Sequence, residues 1–212
     1  MHTLRRVFIA CILITTIATA AAQNVPTVRQ EKLQVLAVVK KYAETIACST
    51  SFEHEEGVPL ENLTGVNDVS LVKRNFDKYG SYESSYYVIW GGDVGCNGGS
   101  ATYNTLLTAV SRQGSLSKPL LVTTHDVFDE SFPVGSDTGE LNTRFIVSFK
   151  MLSPTKVEII SSNYADEKFG GSVEVGQNMP PNKFKYTFTY YDDPSTLEGK
   201  WRLINQVLLE QY

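Results

Sequence analysis

Apolar residues recur at three- and four-residue steps at Leu33, Leu36, Val39, Ala43 and Ile46. That spacing predicts an amphipathic helix over residues 28–47. Pro26 and Thr27, with Gln30 three residues after Thr27, supply a capping-box entry to it. Residues 49–68 mix acidic side chains with Gly57, Pro59 and Gly65 and read as an irregular connection, and 69–76 are ambiguous. From there the period shortens to two. Residues 85–90 and 103–111, rich in aromatic and β-branched side chains, flank a glycine-rich turn and resemble a long-looped hairpin. Residues 119–124 give a short apolar strand, and 126–140, with Pro133, Gly135 and Gly139, a loop. The stretches 144–152 and 156–163 alternate about Ser153-Pro154-Thr155, and 183–191 and 200–210 about residues 192–199, which predicts two more hairpins. No repeat of solenoid length is visible. The fold class expected is α+β, one N-terminal helix packed on a mostly antiparallel, twisted sheet or partial barrel.

The first 22 residues change the count of everything after them. Arg5 and Arg6, an apolar run over 7–18 and the small residues Ala20, Ala21 and Ala22 make a cleavable export signal. The run is shorter than the roughly 20 residues of a spanning helix, so no integral membrane segment is expected after cleavage. Residues 23–212 then form a single domain. Cleavage takes Arg5 and Arg6 and no acidic residue, so the formal charge moves from −4 to −6. Without a basic cluster longer than a pair, nucleic acid is not expected as a partner. An outer-membrane barrel is disfavoured, because Arg202, Gln206 and Glu210 would share one face of the last strand.

Export also decides the cysteines. Losing Cys11 with the signal leaves Cys48 and Cys96, which predicts one disulfide in an oxidising compartment, the periplasm or the exterior. Cys96 lies in the glycine-rich segment 90–102, where Gly91, Gly92, Gly95, Gly98 and Gly99 permit close approach of a ligand or backbone. Trp90, Asp93, Asn97, Ser100 and Tyr103 are the candidate binding residues there. The segment has neither the lysine of a phosphate loop nor the acidic spacing of a calcium loop. The whole run from Trp90 to Thr102 resembles a W-S/G-G-D-x-G-C-x-G-G-S-x-T stretch of small exported proteobacterial proteins. The resemblance implies a periplasmic home and carries no chemistry.

Catalytic patterns are thin. His54 and His125 lie far apart outside any metal-ligand spacing, and Glu53 with residues 54–56 reads as a solvated acidic loop. A triad of Ser100, His125 and Asp93 lacks a nucleophile elbow, and carboxylate pairs drawn from Asp93, Asp126, Asp129 and Glu130 lack specificity. No catalytic residue, metal or cofactor is assigned. Eleven tyrosines, among them Tyr79, Tyr82, Tyr86, Tyr87, Tyr103, Tyr186, Tyr190 and Tyr191, favour a contact surface. The function expected is therefore non-enzymatic binding of an envelope or secreted protein, in the manner of an inhibitor or immunity protein against an exported hydrolase or toxin. Two alternatives stand beside it: a module binding a small molecule or cell-wall fragment through the 90–102 loop, and a hydrolase with an unrecognised site.

Overall fold

The computed structural model describes residues 25–53, 63–98, 102–135, 140–164, 180, 182–192 and 199–210. Helix α1 (Val28–Ile46) opens on a capping box: the Thr27 hydroxyl accepts from the Gln30 N–H at 3.2 Å, and the Gln30 side-chain carbonyl accepts from the Thr27 N–H at 2.8 Å. Its buried row is Glu31, Val35, Val39 and Ala43, an i, i+4 series. The expected stripe shares only part of that row, since Leu33 is 48 % exposed. The helix also stops short of Cys48, because the chain turns directly into strand β1 (Ala47–Thr50).

The strands form two antiparallel sheets that do not close into a barrel, where one sheet or partial barrel was expected. In the first sheet β3 (Tyr82–Val94) is central. It pairs with β4 (Tyr103–Arg112) on one side and with both β1 and β2 (Val69–Phe76) on the other, and β5 (Leu121–Thr124) extends β4. A five-residue helix, α2 (Val127–Ser131), follows in the stretch expected as loop. The second sheet is a meander of β6 (Ile146–Ser153), β7 (Lys156–Asn163), β8 (Asn182–Asp192) and β9 (Gly199–Glu210). The late hairpins match the sequence reading. A register shift beside Thr187 and Phe188 breaks the alternation of β9, so Arg202 and Gln206 do not share a face as expected.

Alternation along β3 creates two cores. Tyr86, Val88 and Trp90 pack with Leu106 and Val110 of β4 against Val35, Val39 and Ala43 of α1. The intervening Tyr87 and Ile89 join Leu107 and Ala109 against Val157, Ile159, Phe184, Tyr186, Phe188 and Trp201 of the second sheet. Both faces of the first sheet are thus covered, which is why β4 is a nearly continuous buried run. Phe128 and Phe132 close the side of the inter-sheet core; the Phe132 ring stacks on Trp201 at 5.2 Å and meets Phe188 at 5.0 Å.

Candidate functional site

The glycine-rich segment is less of a turn than its composition suggests, because Gly91 and Gly92 lie inside β3. Each is required by close approach. A Cβ on Gly91 would stand 2.6–2.9 Å from the Tyr103 ring, and one on Gly92 would stand 2.6 Å from the Trp90 ring and 3.1 Å from the Ser49 carbonyl. The reversal begins at Gly95, with φ of 79°, and Cys96 itself adopts a φ of 56°. Cys48 of β1 and Cys96 are joined in the expected disulfide, their Cα atoms 5.1 Å apart.

Asp93 and Asn97 fold back on this turn. Asp93 Oδ2 accepts from the Gly98 N–H at 3.2 Å, its Oδ1 is buried without a hydrogen-bond partner, and Asn97 Nδ2 donates to the Val94 carbonyl at 3.5 Å. Ser100 lies outside the described residues. Trp90 and Tyr103 have a different surrounding, because both border a cavity of about 590 Å³ on the second-sheet side of β3 and β4. The Trp90 side chain is only 1 % exposed and donates through Nε1 to Thr108 Oγ1 at 2.8 Å, so Trp90 belongs to the core beneath α1. Tyr103, at 43 % exposed, lays its ring over Gly91.

Gly91, inward-facing and two residues on from Ile89, makes room for the Tyr103 ring that lies over it, and Ile89, Gly91, Tyr103 and Thr105, the cross-strand partner of Gly91, form the first-sheet wall of the cavity. Ile146, Val147, Ser148 and Phe149 of β6 form the facing wall. Thr50, Ser51, Glu53, Leu63, Thr64 and Asp68 form the rim.

Ser51 fastens that rim to β3. Its N–H donates to the Gly91 carbonyl at 2.8 Å, its Oγ accepts from the Gly91 N–H at 2.8 Å, and the hydroxyls of Ser51 and Thr64 are 2.6 Å apart. Asp68 Oδ2 accepts from the Gly65 N–H at 2.7 Å. Thr50, a residue only 8 % exposed, accepts at its carbonyl from the Glu53 N–H at 3.3 Å. Among these rim residues the sequence reading named Glu53, as part of an acidic loop, and assigned none of them to a binding site. The one signal present was Gly91 at an inward position of an alternating strand.

Two polar centres lie elsewhere. Glu31, fully buried, accepts at Oε2 from the hydroxyls of Tyr82 and Tyr86 and from Arg74 Nε, and at Oε1 from Ser84 Oγ and the Arg112 guanidinium. Burial pulls its pKa up, but the bonds from Tyr82, Ser84 and Tyr86 and the Arg112 charge outweigh burial and hold the carboxyl below its ordinary value. His125 Nδ1 meets the Tyr42 hydroxyl at 3.0 Å. Its neighbour Asp126 points inward, accepting from the N–H groups of Leu107 at 3.1 Å and Phe128 at 3.0 Å. Asp126 therefore caps α2 and does not face the imidazole. Among the described residues no group of three His, Cys, Asp or Glu side chains is placed to hold a metal.

The expected tyrosine surface is not assembled among the described residues. Tyr82, Tyr86 and Tyr186 are fully buried, and Tyr87 and Tyr190 pack on the inter-sheet core. The exposed rings are Tyr79, Tyr103 and Tyr191, which stand respectively between β2 and β3, at the start of β4 and near the end of β8. The hydroxyls explain the burial, since Tyr82 and Tyr86 are consumed by Glu31 and Tyr186 meets Asn163 Nδ2 at 3.3 Å. The disulfide, and the lack of any helix among the described residues long and apolar enough to cross a membrane, are compatible with export. No protein-family model, curated protein or solved structure matches the chain.

Proposed function

We propose that the protein is a non-enzymatic binding module that holds a small organic ligand in the cleft between its two sheets. The observation that carries this reading is the cavity of about 590 Å³ with an apolar wall and a hydroxyl-rich rim. That volume falls within the roughly 300–1,000 Å³ range of small-molecule sites, which combine apolar surface with a few placed polar groups. Ile89, Ile146, Val147 and Phe149 supply the apolar surface; Thr50, Ser51, Thr64, Tyr103, Thr105 and Ser148 supply the hydroxyls. Such a mixture suits a saccharide or cell-wall fragment, whose ring faces are apolar and whose edges are polar. Export to the periplasm, the other half of the reading, would bring the cleft to such fragments. Binding of an envelope protein was argued from exposed tyrosines, and the burial of most of them removes that support.

The test is a binding screen on the oxidised protein, residues 23–212, against neutral saccharides, amino sugars, amino acids and wall digests. Ligand-observed NMR and calorimetry are the readouts. Thr105→Trp fills the cavity from its β4 wall, with circular dichroism to confirm the fold. Ligands that lose binding in Thr105→Trp support the cleft. Ligands that bind the variant unchanged sit elsewhere, and that outcome sinks the proposal.

A further inference from the structure

We infer that the ligand of the cleft is a short peptide, held in extended form as an added strand on the open edge of β6. This deepens the binding reading above and rests on it. β6 ends the second sheet, which runs β6-β7-β8-β9, so among the described residues its ladder to β7 occupies one edge only. An end strand turns every second N–H and C=O away from its sheet, a template for another strand. At the start of β6 that edge borders the cleft. Ile146 and Phe149 pack on the inter-sheet core while Val147, 59 % exposed, and Ser148 face outward, yet all four consecutive residues line the cavity. Side chains of a strand leave by opposite faces, so a space that touches both kinds runs along the backbone between them. The register shift between Ile146 and Ser148 leaves Val147 without a β7 partner, a bulge of the kind that bends a strand beside a site.

The remaining lining suits the same ligand. Four residues of a strand span roughly 13 Å at about 3.3 Å per residue, so residues 146–149 would pair with about four residues of ligand. Alternate ligand side chains would turn toward the first-sheet wall of Ile89, Tyr103 and Thr105, and the others toward solvent. The ligand's second edge would face the hydroxyl-bearing rim of Thr50, Ser51 and Thr64 rather than an apolar wall. A sugar has polar edges but no N–H and C=O groups repeating at strand spacing, so the ladder adds nothing to its binding. The edge of a whole second sheet is disfavoured, because the bulge interrupts β6 and the rim stands across the cleft.

The probes are four tetrapeptides, acetylated and amidated at their ends, in which threonine alternates with alanine, valine, leucine or phenylalanine. Calorimetry on the oxidised protein should find at least one that binds, and folded Thr105→Trp should lose it. The strongest binder is then N-methylated at its first and third residues, or at its second and fourth, which blocks the N–H groups of one edge at a time. One of these two forms should bind on the order of tenfold more weakly than the other, as loss of two backbone hydrogen bonds does. The parent peptide should also slow amide exchange within residues 146–149, a readout that needs no variant. Peptide binding that survives in Thr105→Trp, or two methylated forms that bind alike, overturns the inference. If N-acetylglucosamine binds and is lost in Thr105→Trp while no peptide binds, the inference fails and the binding cleft stands. Folded protein that binds neither class of probe sinks both readings.

Discussion

Glu31 is the residue on which the helix is fixed. A lone buried carboxylate is costly, and here five side-chain donors from β2, β3 and β4 converge on it. Removing its charge leaves two arginines, with Arg74 23 % and Arg112 9 % exposed, facing a neutral group. Glu31→Gln should therefore destabilise by roughly 3–5 kcal/mol, the cost of breaking a buried pair. Urea denaturation at neutral pH measures it. Because the folded pKa is lowered, the wild-type contribution is complete above the unfolded value near 4.5 and is lost as pH falls through the folded value. Acid titration of stability should show this loss in the wild type and not in Glu31→Gln. The sequence carried the cue, since Glu31 precedes Val35, Val39 and Ala43 at four-residue intervals. A charged residue in that row reads as solvent-facing until its partners are known, and those partners lie more than 40 residues away in the chain.

Among the elements, length decided what could be read in advance. The long helix and the late hairpins are legible because a period needs several repeats to declare itself. β1 has four residues and α2 has five, too few for either period; the first was read as the helix end and the start of a connection, the second as loop. The cue for α2 was the cap, Asp126 ahead of Val127 and Phe128. Burial raises the Asp126 pKa to about 6 against the opposing Leu107 and Phe128 N–H bonds, with Asp129 and Glu130 adding to the rise. A raised carboxyl makes the fold more stable when protonated. Its contribution is complete below the unfolded value near 3.8 and is lost as pH rises through about 6. That loss is on the order of 3 kcal/mol for a group 9 % exposed. Asp126→Asn keeps the cap acceptor without the charge. Its stability advantage over wild type should be absent near pH 4 and present at pH 8, a crossover that calorimetric unfolding at the two values would detect. An unchanged difference between the two pH values would show that Asp126 ionises without penalty.

At the scale of the whole molecule, two fastenings hold the mouth of the cleft, and they are separable. The disulfide ties β1 to the turn after β3 across 48 residues of sequence. A loop of that length stabilises by about 4 kcal/mol in the chain-entropy account, chiefly by restricting the unfolded chain. Ser51 instead acts in the folded state, holding Gly91 through both its backbone N–H and its hydroxyl and meeting the Thr64 hydroxyl. Replacing both Cys48 and Cys96 by alanine should therefore lower global stability by up to about 4 kcal/mol. The folded fraction should still bind a ligand of the cleft within about twofold of wild type, because the Ser51 contacts that set the rim persist. Ser51→Ala should do the reverse. Losing a hydroxyl bonded to the Gly91 N–H costs only about 1–3 kcal/mol of stability, but it leaves the rim held to β3 there by the Ser51 backbone bond alone, so affinity should fall further than in the disulfide variant. Denaturation midpoints and calorimetric titration on the two variants test both halves. If the disulfide variant loses affinity while Ser51→Ala keeps it, the cleft is shaped by the covalent link and not by the hydrogen bonds between its rim and β3.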